Sequence, residues 1–135
     1  MSNPISSYLG FQADALPLRE QRLKLIASNL ANADTPGYRA RDIDFNAALE
    51  SATRARQAGG APGAEPHSGH IAVDFEQGLQ AFETVRVSSQ PSIDGNTVDP
   101  DAERAAYGRA ALEYRASLNF LESKVRTLLT AITGQ

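Results

Sequence analysis

The C-terminal end of the chain carries apolar residues spaced alternately by four and three positions, and this pattern constrains the fold more than any other feature. Such spacing is a heptad seam, typical of a long helix that packs along a partner helix. Asp99 suits an N-cap, Pro100 suits the first helical position, and Gly134 ends the pattern, so we predict a helix over residues 100–132. The seam consists of Tyr107, Ala111, Tyr114, Leu118, Leu121, Val125, Leu128 and Ile132.

A second amphipathic pattern lies near the N-terminus. Leucine recurs every seven residues from Leu9 to Leu30. Pro17 lies inside this pattern, so the helix either starts regularly near Pro17 and runs to about residue 33, or bends at that proline. The predicted packing residues of this helix are Leu16, Leu23, Ile26 and Leu30.

The two helices are the best partners for each other within the chain, in either a parallel or an antiparallel pair. Apolar residues outside the seams, among them Phe11, Leu18, Phe120 and Leu129, would remain uncovered by such a pair. Uncovered apolar surface of this kind indicates packing on other molecules. The alternative is an ordinary helical hairpin or small bundle whose apolar stripes form only its own core.

The middle of the chain has weaker patterns. Alternating polar and apolar residues at 39–45 predict a short extended segment held by Ile43 and Phe45, and residues 46–56 resemble a weak Ala-rich helix. The β-prone run at 84–88 and the turn signal Asp94-Gly95 predict a small hairpin within 84–98.

The predicted fold class is therefore mainly α, with long terminal helices in a coiled-coil layer, a flexible Gly/Pro-rich middle and a small β-hairpin. Four segments follow from the patterns, with the first and last together forming one assembly domain. They are residues 1–50 (helix, turn and extended segment), 51–70 (flexible linker), 71–98 (small irregular or β region) and 99–135 (heptad helix).

Two pairs of residues could in principle carry chemistry. His67 and His70 could bind a metal, but the chain has no Cys and offers no third ligand, so exposed loop histidines explain them better. Asp42 and Asp44 could act as acid and base, but their alternation places both on the polar side of a strand-like segment. We therefore predict no catalytic, cofactor-binding or metal-binding residues.

Charge and hydropathy exclude several partners. The net charge is −3, without a basic face for nucleic acid or a polybasic cluster for anionic membranes. The first ten residues lack the basic and apolar regions of a Sec signal peptide, and no stretch approaches the roughly 20 apolar residues that span a bilayer. These signals predict a cytoplasmic protein, unless an export route reads another address.

Residues 27–38, with the sequence ASNLANADTPGY, end the N-terminal helix in a sharp turn because several helix breakers follow one another. This stretch resembles the signature of the flagellar rod and hook axial protein family, Ser-x-Asn-x-Ala-Asn followed by Thr-x-Gly-Tyr. Residues 39–45, 94–99 and 113–116 are similar to the proximal rod members of that family. The motif residues are Ser28, Asn29, Ala31, Asn32, Asp34, Thr35, Pro36, Gly37 and Tyr38.

The resemblance covers about residues 10–50 and 93–133. It implies a non-enzymatic subunit of the basal-body rod, exported through the flagellar type III apparatus without a cleaved signal and placed in the periplasm. Its terminal helices would be largely disordered in the free subunit, would order on polymerisation and would transmit torque for motility.

The partners implied by the resemblance are further copies, rod subunits such as FlgC, the adaptor protein FliE and the MS ring, and no cofactor is implied. Two alternatives remain open. One is a helical adaptor or chaperone that binds a partner helix in a groove. The other is a different rod subunit, such as FlgC itself.

Overall fold

The computed structural model describes residues 4–57, 75–87 and 92–134. Over these ranges the chain is mainly helical, which confirms the predicted fold class. The helices are α1 (Pro4–Ala31), α2 (Phe45–Gln57), α3 (Phe75–Gln80) and α4 (Pro100–Thr133), and the strands are β1 (Arg41–Ile43) and β2 (Glu83–Val85). The predicted linker 51–70 is helical up to Gln57, and its remaining residues, including His67 and His70, lie outside the described ranges.

Helix α4 has the ends that its sequence predicts. The Asp99 carboxylate accepts hydrogen bonds from the backbone N–H groups of Asp101 and Ala102, both at 3.1 Å. Gly134 has a φ of 72° and donates its N–H to the Thr130 carbonyl at 2.9 Å. Both helix ends therefore satisfy backbone groups that would otherwise lack partners.

Gly108 lies in the middle of α4, and no atom lies within 4 Å of the position that a Cβ would take. We expect Gly108→Ala to raise the free energy of unfolding by about 1 kcal/mol, because alanine loses less backbone entropy than glycine in a helix. Urea denaturation monitored by circular dichroism measures this change. An unchanged or lower urea midpoint would show that the added Cβ meets other atoms, which would contradict the open space at this position.

Helix α1 differs from its prediction in both its start and its bend. It begins at Pro4 rather than near Pro17, and Pro17 lies inside it. The break occurs at Gly10, whose φ of 34° and ψ of −120° are not helical. Glycine tolerates this conformation because it has no Cβ. Pro17 stays within the helix, although its ring removes one backbone donor and crowds the carbonyl four residues earlier.

Helices α1 and α4 run antiparallel. Near the end of α1, Asn29 bonds to Glu103 at the start of α4, whereas Arg19 bonds to the Glu113 carbonyl and to the Ser117 hydroxyl further along. The buried residues of α4 are Glu103, Ala110 and Ser117, spaced by seven. Ala110 and Ser117 each lie one position before a residue of the predicted seam, Ala111 and Leu118. Their small side chains allow the two helices to approach closely.

The other side of α1 packs on the core and the sheet. Leu18 and Leu25 belong to a core cluster with Ile43, Ala48 and Leu79. The predicted two-stranded antiparallel pairing is present, but β2 pairs with β1, about forty residues earlier, instead of with a second strand within residues 84–98. Helix α3 is an element that the sequence patterns did not predict. Leu18 is fully buried rather than uncovered, since this cluster occupies the face of α1 opposite the leucine repeat.

Candidate assembly interface

The predicted seam of α4 is only partly covered by its own chain. Tyr114, Leu121 and Leu128 are half-buried, as is Ala111. Leu118 and Val125 keep 39% and 41% of their surface exposed, and Tyr107 and Ile132 are also exposed. On α1, Ile26 is fully buried, whereas Leu16, Leu23 and Leu30 are half-buried.

The uncovered parts of the two seams lie on the same side of the helix pair. Successive residues of a helix are 100° apart around its axis. Leu118 and Val125 therefore lie on one flank of the buried stripe through which α4 contacts α1. The same geometry rotates the leucine repeat of α1 away from the core residues Leu18 and Leu25. Because the helices are antiparallel, both flanks lie on the side opposite the sheet and α2. We call this surface the assembly groove, formed by Leu16, Leu23 and Leu30 with Tyr107, Leu118 and Val125.

The end of α1 is held by a loop that precedes α4. The Asn96 side-chain amide donates to the carbonyls of Asn32, Ala33 and Thr35, at 2.8 to 3.0 Å. The Gly37 N–H donates to the Asp94 carbonyl at 2.9 Å. The structure thus brings together the turn of the 28–38 motif and the segment 94–99, two regions that are far apart in sequence.

Around this turn, the motif side chains divide into bonded and exposed ones. The Ser28 hydroxyl lies 3.2 Å from the Tyr38 hydroxyl, which donates to Asn29 Oδ1 at 3.3 Å. The Asn32 amide donates to the Ser28 carbonyl at 2.8 Å. The remaining motif residues are exposed, although the Thr35 hydroxyl also donates to Asn32 Oδ1 at 3.2 Å: Ala31, Asp34, Thr35, Pro36 and Gly37.

Asn29 is fully buried and joins three elements. Its Nδ2 donates to the Arg41 carbonyl at 2.7 Å and to Glu103 Oε2 at 3.3 Å, and its Oδ1 accepts from the Arg41 N–H at 2.9 Å. The Asn29 amide therefore pairs with the edge of β1 as a neighbouring strand would. In this way the motif residue fixes α1 against both β1 and α4.

A charge network, which sequence patterns missed, continues from Asn29. Arg86, just after β2, donates to Glu103 Oε1 at 2.5 Å and to Asp42 Oδ2 at 2.7 Å. Arg22 on α1 donates to both Asp42 oxygens, at 3.1 and 3.2 Å. Two carboxylates and two guanidiniums thus balance one another where α1, α4 and the sheet meet. Helix periodicity alone could not reveal it, because its members come from four separate segments.

Asp42 and Asp44, considered above as an acid–base pair, have separate structural contacts. Asp42 belongs to the charge network, and Asp44 Oδ1 accepts from the Ala47 N–H at 3.0 Å, which caps α2. Within the described ranges no three His, Asp or Glu side chains gather in a way that could hold a metal ion. No described helix is long and apolar enough to cross a membrane.

Burial alone would raise the pKa of the Asp42 carboxyl, but hydrogen bonds from Arg86, Arg22 and the Ile43 N–H outweigh it, so that the pKa lies below its ordinary value. A lowered pKa in the folded state stabilises the fold above the unfolded-state pKa, about 3.9, and this contribution is lost as the pH falls through the folded-state pKa. We therefore expect the free energy of unfolding to fall below about pH 4, and to fall less steeply in Asp42→Asn.

Urea denaturation between pH 7 and pH 3 measures this dependence. Asp101→Asn is the control, because the Asp101 side chain is 93% exposed and should leave the acid slope unchanged. Equal acid slopes for the wild type and Asp42→Asn would contradict the role of Asp42.

Comparison with known proteins agrees with these features. Residues 9–39 match the family model described as flagella basal body rod protein. The chain is 40% identical over 136 residues to the flagellar basal body rod protein FlgB of Salmonella typhimurium, covering 99% of both chains. It is 39% identical to the FlgB protein of Escherichia coli K12, covering 98% of this chain and 97% of that protein. For the FlgB protein of Aeromonas hydrophila the identity is 40%, covering 93% and 92%.

These similarities extend through the middle of the chain, where the sequence motifs gave no assignment. They favour a rod protein over the helical adaptor or chaperone considered above, and the shared name FlgB favours this rod subunit over FlgC. The chain belongs to the FlgB family of flagellar basal-body rod proteins, which are structural subunits of the rod.

Proposed function

We propose that this chain polymerises into the proximal rod through the assembly groove and transmits torque across the periplasm, without catalytic activity. The observation that carries this proposal is the groove itself, because two helices with matched seven-residue repeats leave Leu118 and Val125 uncovered on one side. Covering such side chains contributes about 25 cal/mol for each Å² removed from water. The helix of a neighbouring axial subunit is the partner that fits a groove of this shape.

In this proposal the two faces of the helix pair have different tasks. The face towards the sheet is held by Asn29, Asn96 and the charge network, and it sets the angle at which the chain leaves the helix layer. The opposite face remains free for neighbours. Contacts within the subunit therefore lie on one face of the helix pair, and contacts with neighbours lie on the other. The first set keeps the shape of the subunit fixed, so that it can transmit torque through the second set.

The remaining expectations follow from rod membership and belong to the same proposal. The subunit is exported unfolded through the flagellar type III apparatus without a cleaved signal. The neighbours are further copies, FlgC, the adaptor FliE, the next rod subunits and the MS ring. The subunit-packing residues are those of the two predicted seams except Ile26, which its own chain buries completely. The 28–38 motif provides the turn that holds the helices in place.

The test is complementation of a strain lacking the gene, followed by electron microscopy of purified basal bodies. We expect membrane rings without rods in the deletion, full restoration by the wild-type gene, and at least about a tenfold loss of rods with Val125→Asp. A carboxylate placed in an apolar contact costs several kcal/mol, and about 1.4 kcal/mol already corresponds to tenfold.

Thr127→Asp is the matched control, because Thr127 is exposed on another face of α4 and should assemble normally. Thr127→Asp should unfold within about 0.5 kcal/mol of the wild type, because Thr127 is exposed. Val125→Asp should lose no more than about 1.5 kcal/mol and stay folded, because Val125 keeps 41% of its surface exposed. Complete rods in the deletion strain would overturn the rod function. Normal rods with Val125→Asp would overturn the assembly groove alone.

A further inference from the structure

Helix α4 contains two overlapping heptad seams, which share one column of residues at seven-residue intervals. The shared column is Tyr107, Tyr114, Leu121 and Leu128. An outer column completes the predicted seam: Ala111, Leu118, Val125 and Ile132. An inner column completes the seam that the structure uses: Glu103, Ala110, Ser117 and Lys124. Because the inner and outer columns are 100° apart around the helix axis, a roll of about 50° would exchange one seam for the other.

Apolar burial alone would favour the outer column over the inner one. The inner column contains two charged residues and a serine, whereas three of the four outer residues are Leu, Val or Ile. In the structure Ser117 is fully buried, while Leu118 and Val125 keep 39% and 41% of their surface exposed. Covering these two side chains with the leucine repeat of α1 would be favourable. Polar contacts are therefore needed to hold α4 in its observed rotation.

Arg19 of α1 makes such a contact in the middle of the helix pair. Its Nη1 donates to the Glu113 carbonyl at 2.8 Å and to the Ser117 hydroxyl of the inner column. Its guanidinium carbon lies 5.8 Å from the centre of the Phe45 ring, so α2 also holds the side chain in place. A roll of α4 to the predicted seam would carry both acceptors away from Arg19.

The Arg19 contact selects one rotation of α4 without adding much stability. The Arg19 Nε is buried and has no hydrogen-bond partner among the described residues. Neither acceptor depends on Arg19, because the Glu113 carbonyl lies inside a helix and the Ser117 hydroxyl can bond to a carbonyl one turn earlier. Buried polar contacts of this kind specify which helix surfaces pair, at some cost in stability.

We propose that Arg19 is a positioning residue that holds α4 on its inner column and thereby keeps the outer column uncovered for a neighbouring subunit. Without Arg19, α4 rolls towards the predicted seam, and Leu118 and Val125 pack against the leucine repeat of their own chain. The assembly groove is then filled from within. The use of the groove in the rod rests on the proposed function, whereas the rotation of α4 is a property of the free subunit.

Thiol reactivity of the free subunit tests this rotation, because the chain has no Cys and Val125→Cys places a single one on the outer column. Adding Arg19→Met should slow the reaction of this thiol with a small aromatic disulfide at least about tenfold, since the reaction requires the uncovered form. The urea midpoint should stay the same or rise, because the change leaves no buried acceptor without a partner.

Two further variants separate the position of the charge from its mere loss. Arg19→Lys keeps a cationic donor on α1 and should restore most of the thiol reactivity. Arg39→Met is the control, because Arg39 is exposed and lies outside the helices, so its loss should leave the reaction rate unchanged.

Unchanged thiol reactivity with Arg19→Met would overturn this inference and leave the rod function intact. A clear fall in the urea midpoint would also overturn it, since Arg19 would then stabilise the fold instead of selecting a seam. In complementation, Arg19→Met alone should reduce the number of rods at least about tenfold, as expected when the competent form becomes a minor one. A slower thiol reaction together with normal rod numbers would support the inference and overturn the assembly groove instead.

Discussion

Replacing Arg86 with Met is expected to lower the free energy of unfolding by about 3 kcal/mol or more, because it leaves a buried charge without its partner. Glu103 is almost fully buried, and Arg86 is the cation that pairs with it. Arg86 also bonds to Asp42, so its loss leaves that carboxylate with Arg22 alone. The buried Glu103 then has only the Asn29 amide as a hydrogen-bond donor among the described contacts.

Urea denaturation at pH 7 measures this loss. Arg104→Met is the matched control, because Arg104 pairs with Asp101 at the surface of α4, where its side chain is 68% exposed, and the expected loss is below about 1 kcal/mol. Adding Glu103→Gln to Arg86→Met should restore part of the stability by removing the unpaired charge. Equal losses for Arg86→Met and Arg104→Met would contradict a buried network.

Replacing Asn29 with Ala should cost about 2 to 3 kcal/mol, since the N–H and the carbonyl of Arg41 both lose their bonds to the fully buried Asn29 amide. The Asn29 amide bonds to both the N–H and the carbonyl of Arg41. It also supports Glu103, so the substitution weakens the junction of α1, β1 and α4 at one point. We expect a lower urea midpoint together with fewer assembled rods.

Asn32→Ala provides the comparison, because Asn32 belongs to the same motif but is only half-buried. Its amide bonds to the nearby Ser28 carbonyl, so the expected loss is about 0.5 to 1 kcal/mol. Similar losses for both asparagines would show that burial does not distinguish them, which would contradict the role assigned to Asn29.

Much of the fold could be predicted from local chemistry. The start of α4 followed from Asp99 and Pro100, and its end followed from Gly134, because capping depends on residues next to the helix ends. The bend in α1 could not be located this way. A proline is the commoner signal for a bend, whereas the break lies at Gly10, where the absence of a Cβ permits a φ of 34°.

The sequence also could not predict which of the seam residues the chain itself buries. The seven-residue repeats located both helices. On α4, however, the repeat that contains Leu118 and the repeat that contains Ser117 differ by one residue, and only packing decides which of them faces α1. Small side chains at Ala110 and Ser117 allow α1 to approach, which leaves the larger Leu118 and Val125 on the flank. The assembly groove follows from this difference.

The sequence identifies the turn motif and the segment before α4 separately, but it does not predict that they contact each other. Asn96 bonds to three carbonyls at the end of α1 from about sixty residues away. The same holds for Arg86 and Glu103, whose pairing depends on the way β2 lies beside β1. Such contacts join residues that have no periodic relation, so no pattern in one sequence could predict them.

The most direct test of the assembly groove is an electron cryo-microscopy reconstruction of the rod built from this subunit. We expect a helix from a neighbouring subunit to lie against Leu118 and Val125, on the side of the helix pair opposite β1 and β2. A reconstruction in which these two side chains face solvent, while the sheet side forms the contacts between subunits, would contradict the central claim.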